Sequence, residues 1–200
     1  MRELTQDPFY EVLREYPRCV IDYCLIKDEP PHRGLASHRE ALVYAMCRVI
    51  EREISSQRET DARFGLESDD AIPWTCDFEK AEAHAIDPKE FLFVPTIIRR
   101  IRRGSVIYDR RDPDVDAGEQ IPYWYAFLEP PYSTGHTPED FRRLNEALFP
   151  EGPDPLEVYE WTTDWSGYFD DGHEWWGTAC WTIYDAHLDR YAVILASATD

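Results

Sequence analysis

The residues best equipped for chemistry gather in one stretch, Trp161 to Trp181 (WTTDWSGYFDDGHEWWGTACW), where five of the chain's seven tryptophans stand among Asp164, Asp170, Asp171, His173 and Glu174. Carboxylates and an imidazole in a glycine-punctuated loop are a donor set for a divalent ion, and indole rings beside them stack well on a sugar or a base. That makes Asp164, Asp170, Asp171, His173 and Glu174 the ligands of an alternative reading, a metal-dependent hydrolase or small-ligand binder. The spacing does not name the reaction. His173-Glu174 lacks the second histidine, four residues after the first, that a zinc-peptidase helix carries. The leading reading takes the same stretch as a partner-binding surface made by Trp161, Asp164, Trp165, Tyr168, Asp170, Asp171, Glu174 and Trp175, with aromatic anchors ringed by carboxylates. Against both stands the plainer expectation that the tryptophans pack a sheet while the acids solvate a loop.

Other motifs fall short of their chemistry. Asp112-Pro113-Asp114-Val115-Asp116 imitates the opening of a calcium loop, but Ala117 stands where the sharp turn needs glycine and Tyr123 where a bidentate glutamate is needed. The chain has no Walker loop, no dinucleotide glycine fingerprint and no G-x-S-x-G elbow. No cofactor is implied, and no catalytic residue is assigned. Five cysteines, at 19, 24, 47, 76 and 180, form no C-x-x-C pair and fit a reduced cytoplasm better than a disulfide framework. The charged segment Met1–Pro17 has no apolar core of the kind an export signal needs, and no run approaches the roughly 20 apolar residues of a membrane span. A cytoplasmic location is the expectation.

Charge sets the next limits. The formal net charge is −19, with forty acidic and twenty-one basic residues. Residues 112–200 alone hold nineteen acids against three bases, whereas residues 91–111 hold six arginines and one acid. The acidic half repels phosphate backbones and anionic lipid, so direct nucleic-acid or membrane binding is not expected and a basic protein partner is. The patch of Arg99, Arg100, Arg102, Arg103, Arg110 and Arg111 is expected to form a solvated face or to pair with the acids of the C-terminal half.

These residues must be positioned by a chain of 200 residues, long enough for a single domain that buries roughly 70% of its unfolded surface. Asp7-Pro8 followed by Phe9, Val12 and Leu13 reads as a short helix, and Arg18–Lys27 as a buried strand. Ser37-His38-Arg39-Glu40 has capping-box spacing ahead of Leu42, Met46, Val49, Ile50 and Ile54, the periodicity of an amphipathic helix. Residues 60–85 read as an acidic surface excursion. Asp87-Pro88 starts a helix that Pro95 should kink and Gly104 close, and Val106–Tyr108 makes an edge strand. Ile121–Glu129, aromatic on both alternating faces, reads as a strand covered on both sides. Thr137-Pro138 opens a helix, Leu156–Thr163 is a strand, and Gly177–Tyr184 with Arg190–Ser197 forms an antiparallel hairpin. The expected architecture is α+β, an antiparallel sheet of four to six strands with helices packed on one face.

The stretch from Tyr159-Glu160-Trp161 through Tyr168-Phe169-Asp170, Glu174-Trp175-Trp176-Gly177 and the hairpin to Asp200 resembles the tail of small uncharacterised bacterial proteins. In acidity, tryptophan content and sheet-plus-helix outline the chain is similar to SUKH-type immunity proteins, cytoplasmic modules that neutralise toxins by binding them. The resemblance implies a binding protein of the immunity or inhibitor kind rather than an enzyme. It transfers no individual residue role.

Overall fold

The computed structural model describes residues 1–68, 71–100, 106–115, 120–131 and 134–198, with 98–100 described by their backbone only. The architecture is α+β. Six strands form one antiparallel sheet in the order β1 (Arg2–Glu3), β2 (Ile21–Lys27), β8 (Arg190–Ser197), β7 (Thr178–Asp185), β6 (Leu156–Trp161) and β3 (Ala83–Ile86). A separate two-stranded ribbon pairs β4 (Ile97–Arg100) with β5 (Val106–Tyr108).

The central hairpin follows from its sequence. In β7 and β8 nearly every position is buried, and such continuous burial belongs to a strand covered on both faces. Alternate residues point to two different cores. Ala192, Ile194 and Ala196, with Trp181 and Ile183, meet Phe9, Phe127, Phe141, Leu144 and Leu148. These come from α1 (Phe9–Leu13), α4 (Tyr123–Leu128) and α5 (Pro138–Leu148). Tyr191, Val193 and Leu195, with Cys180 and Trp161, meet Ala41, Leu42, Ala45, Met46 and Val49 of α2 (Leu35–Phe64) on the opposite side. Helices therefore flank both faces, where the sequence pattern had them on one; the burial of side chains on both faces of β7 and β8 is the physical reason.

α2 starts earlier than the capping-box spacing indicates. Gly34, at φ 62°, is its N-cap, and Ser37 Oγ accepts a 3.1 Å hydrogen bond from the Arg33 amide. Gly65, in the left-handed helical conformation, ends it after thirty helical residues, inside the stretch expected to be a surface excursion. At 1.5 Å per residue the helix is about 45 Å long, against about 27 Å for an eight-residue strand, so its C-terminal half overhangs the sheet. Almost every residue from 51 to 64 is exposed.

Two segments differ in type from the expectation. Residues 121–129 hold the short helix α4, buried at Tyr123, Trp124, Ala126, Phe127 and Leu128. An apolar run of this length fits a buried strand or a buried helix equally, and Pro122 at the N-cap favours the helix. After Asp87, whose side chain accepts from the Lys89 amide, α3 (Pro88–Phe91) is a single turn, and beyond Pro95 the chain is extended as β4. Proline restricts the residue before it to extended backbone, and the branched Ile97 and Ile98 prefer a strand. α5 has the expected start: Thr137 and Asp140 form a reciprocal capping box, with Pro138 in the first turn.

Candidate functional site

The Trp161–Trp181 stretch wraps one end of the sheet, where β6 ends, β7 begins and β8 ends. Ser166 Oγ accepts from the Tyr168 amide to start a tight turn at Gly167–Phe169, and α6 (Asp170–Glu174) follows with two acids in its first turn. Their charge complements the positive end of the helix.

Three of the aromatic residues expected to anchor a partner are core residues instead. Trp161 is fully buried and donates its Nε1–H to Thr182 Oγ1 at 2.8 Å. Trp165, also buried, donates to the Thr162 carbonyl at 2.6 Å. Buried Tyr168 donates to Asp22 Oδ2 at 2.8 Å, and burial together with that carboxylate holds its phenol well above the usual range. Trp176 and Trp181 are likewise buried and satisfied, by the Glu129 carbonyl and by Glu160 Oε1. A buried indole finds a partner for its N–H, and these partners lie inside the fold. Trp175 alone of the five points outward, 63% exposed.

Asp164, Asp170, Asp171 and Glu174 are exposed, as is His173, whose Nε2 lies 3.3 Å from Thr163 Oγ1. Among the described residues these five do not converge as metal ligands. The imidazole faces a threonine that is itself hydrogen-bonded to Thr178. The ligand set read from this stretch is thus not assembled. Other acids of the C-terminal half are exposed toward the opposite end of the sheet, Glu146 in the last turn of α5 and Glu151 and Asp154 between α5 and β6, so the negative charge is divided rather than gathered on one surface.

Arg102 and Arg103 lie outside the described residues, as do Asp116 and Ala117 of the calcium-loop imitation and the terminal Asp200. Arg110 and Arg111 are exposed, and Arg111 pairs with its neighbour Asp109. The salt bridges among the described residues join neither arginine to an acid of residues 112–200.

The fold does bring together a donor set that sequence reading passes over. His32, in the loop before α2, His38, in its first turn, and Glu157 of β6 place one ligand atom each within 4.8 Å of one another. His32 Nε2 lies 3.1 Å from Glu157 Oε2, and His38 Nε2 lies 3.5 Å from Glu157 Oε1. Each ring is oriented from its far side, His32 Nδ1 by Tyr191 Oη at 2.7 Å and His38 Nδ1 by Thr182 Oγ1 at 2.8 Å. His32 also stacks on Tyr184, with ring centroids 3.9 Å apart and planes 4° from parallel. Burial, reinforced by the His32 ring, lowers the His38 pKa to about 3, against a smaller opposing effect of the Thr182 backbone. His38 is a neutral imidazole at ordinary pH.

Searches of protein-family models, curated proteins and solved structures find no match.

The His32/His38/Glu157 set had one weak signal in the sequence: two histidines six positions apart, straddling a helix start that follows Pro30-Pro31. The third member is 125 residues beyond His32, and only the pairing of β6 with β7 brings it near.

Proposed function

We propose that this chain is an acidic binding protein of the immunity or inhibitor kind, cytoplasmic and bacterial, which engages a basic protein partner through the end of the sheet that carries α6. The observation supporting this reading is the placement of Trp175. It stands exposed directly after Asp170, Asp171 and Glu174, three exposed carboxylates with no ion pair among the described residues, and Asp164 shares that exposed stretch. Exposed carboxylates steer a cationic protein and exclude an anionic one, and an indole supplies a large anchoring area at low entropic cost. The contact surface is smaller than the sequence implies, because Trp161, Trp165 and Tyr168 belong to the core. Asp164, Asp170, Asp171, Glu174 and Trp175 form it.

The hydrolase reading of the same stretch loses its support with its ligand set. A groove of about 670 Å³ lies elsewhere, lined in part by Asp28, Arg39, Tyr44 and Cys47.

The test is calorimetric titration against a panel of strongly basic nucleases at low and high salt. Binding is expected to weaken steeply as salt rises, and to be lost in a D170K/E174K variant and in Trp175→Ala. Tight binding that ignores both salt and these substitutions contradicts the reading.

A further inference from the structure

The sheet end remote from α6 holds the one group of histidine, cysteine and carboxylate side chains among the described residues whose ligand atoms converge. We infer that His32, His38 and Glu157 form a binding site for a divalent transition-metal ion of the zinc class, held by the two Nε2 atoms and the Glu157 carboxylate.

Four observations carry this. His38 is completely buried, and its Nε2 has no hydrogen-bond partner although it is aimed at Glu157. A buried nitrogen without a partner carries a desolvation penalty, and a lone pair given to a metal ion removes it. Second, both imidazoles are fixed through Nδ1, by Thr182 and Tyr191, which leaves both Nε2 atoms turned toward the same carboxylate. Outer hydrogen bonds of this kind set the orientation of ligating histidines in metalloproteins. Third, His32 Nε2 lies 3.1 Å from one oxygen of Glu157 and His38 Nε2 3.5 Å from the other, and one ligand atom of each residue lies within 4.8 Å of the other two, close enough for all three to reach a single ion. Finally, the donors are two imidazole nitrogens and one carboxylate, a set that suits zinc and its neighbours better than calcium or magnesium, which favour oxygen.

The surroundings define what the site offers. Three protein ligands leave a fourth position for water or another small donor, the arrangement of reactive rather than purely structural zinc sites. The Glu157 side chain is 42% exposed, so that position meets solvent, while Tyr184 stacks beneath His32 and Tyr159 meets the edge of His38. The site sits at the other end of the sheet from α6 and is independent of the basic-partner reading.

The experiment uses the whole chain, stripped with chelator and titrated with Zn²⁺ alone by equilibrium dialysis, then with Co²⁺ as a spectroscopic stand-in. A single equivalent of Zn²⁺ should bind, and the Co²⁺ form should show visible bands of four-coordinate nitrogen and oxygen ligation without the intense near-ultraviolet band of a thiolate. Because His38 is a core residue whose replacement threatens folding, the deciding variants are His32→Gln and Glu157→Gln, at partly exposed positions, with folding checked by circular dichroism. Each should weaken Zn²⁺ at least tenfold, and Thr182→Val, which frees the His38 ring, should weaken it by about tenfold. Folded His32→Gln and Glu157→Gln proteins that bind Zn²⁺ as tightly as the parent overturn the assignment. So does a thiolate spectrum, or the absence of stoichiometric binding by the parent chain.

Discussion

The amide of Gly177 donates to the carbonyl of Gly172 at 2.8 Å, closing α6 onto the start of β7 so tightly that a Cβ at Gly172 would lie 2.4 Å from the Gly177 carbonyl oxygen and 2.7 Å from Thr178 Cγ2. Backbone cannot yield as a side-chain tip can. Gly172→Ala should therefore force α6 away from the sheet and cost about 1–3 kcal/mol in urea denaturation, with a parallel loss of binding to a basic partner. Unchanged stability would show that α6 is not seated as described.

The tryptophans separate into core and surface. Trp161→Ala should cost about 3–5 kcal/mol, because it empties a fully enclosed site and leaves Thr182 without its indole donor. Trp175→Ala should change stability by less than about 0.5 kcal/mol. Denaturant midpoints of the two variants give the comparison directly.

A buried ion pair ties the chain's start to its end. Arg190, on β8, pairs with Asp7 at the head of α1 and donates to the Leu148 carbonyl at 2.7 Å, with only 7% of its side chain and 15% of that of Asp7 exposed. Asp7 also accepts from the Phe9 amide. Asp7→Asn retains that acceptor but strands the guanidinium, and should cost roughly 3–5 kcal/mol by thermal or chemical unfolding. A small cost would mean that solvent reaches Arg190.

Glu160 provides a pH test. Burial raises its carboxyl above the ordinary value, with Glu90 adding to the effect and the Trp181 hydrogen bond and His84 opposing it. A carboxyl raised in the folded state favours folding while protonated, and that contribution is lost as pH rises through its folded-state value. Glu160→Gln, which keeps an acceptor for Trp181, should therefore gain stability over the parent at pH 7 and lose the advantage near pH 4. The opposite trend in urea midpoints would show that the ionised form is the favoured one.

What could be read from sequence depended on how local its cause is. The β7–β8 hairpin is dense in branched and aromatic residues around a short polar turn, and α5 announces itself by Thr137, Pro138 and Asp140; both are set within a few residues. α4 was misread because YWYAFL is apolar in every direction, which erases the period that separates helix from strand. Trp161, Trp165 and Tyr168 carry polar atoms that suit a surface equally well, and only Thr182, the Thr162 carbonyl and Asp22, supplied by the fold, make burial favourable. His32, His38 and Glu157 were illegible for the same reason on a longer scale, since their convergence is a property of strand register.

The binding account is tested most directly by mapping backbone amide chemical shifts of the isotope-labelled chain during titration with an oligoarginine peptide at low salt. Perturbations should concentrate on Asp164 and on Asp170 through Trp175, include the Trp175 indole, and vanish when salt is raised. Shifts centred on α2 or on the β7–β8 turn, with residues 164–175 unmoved, would contradict it.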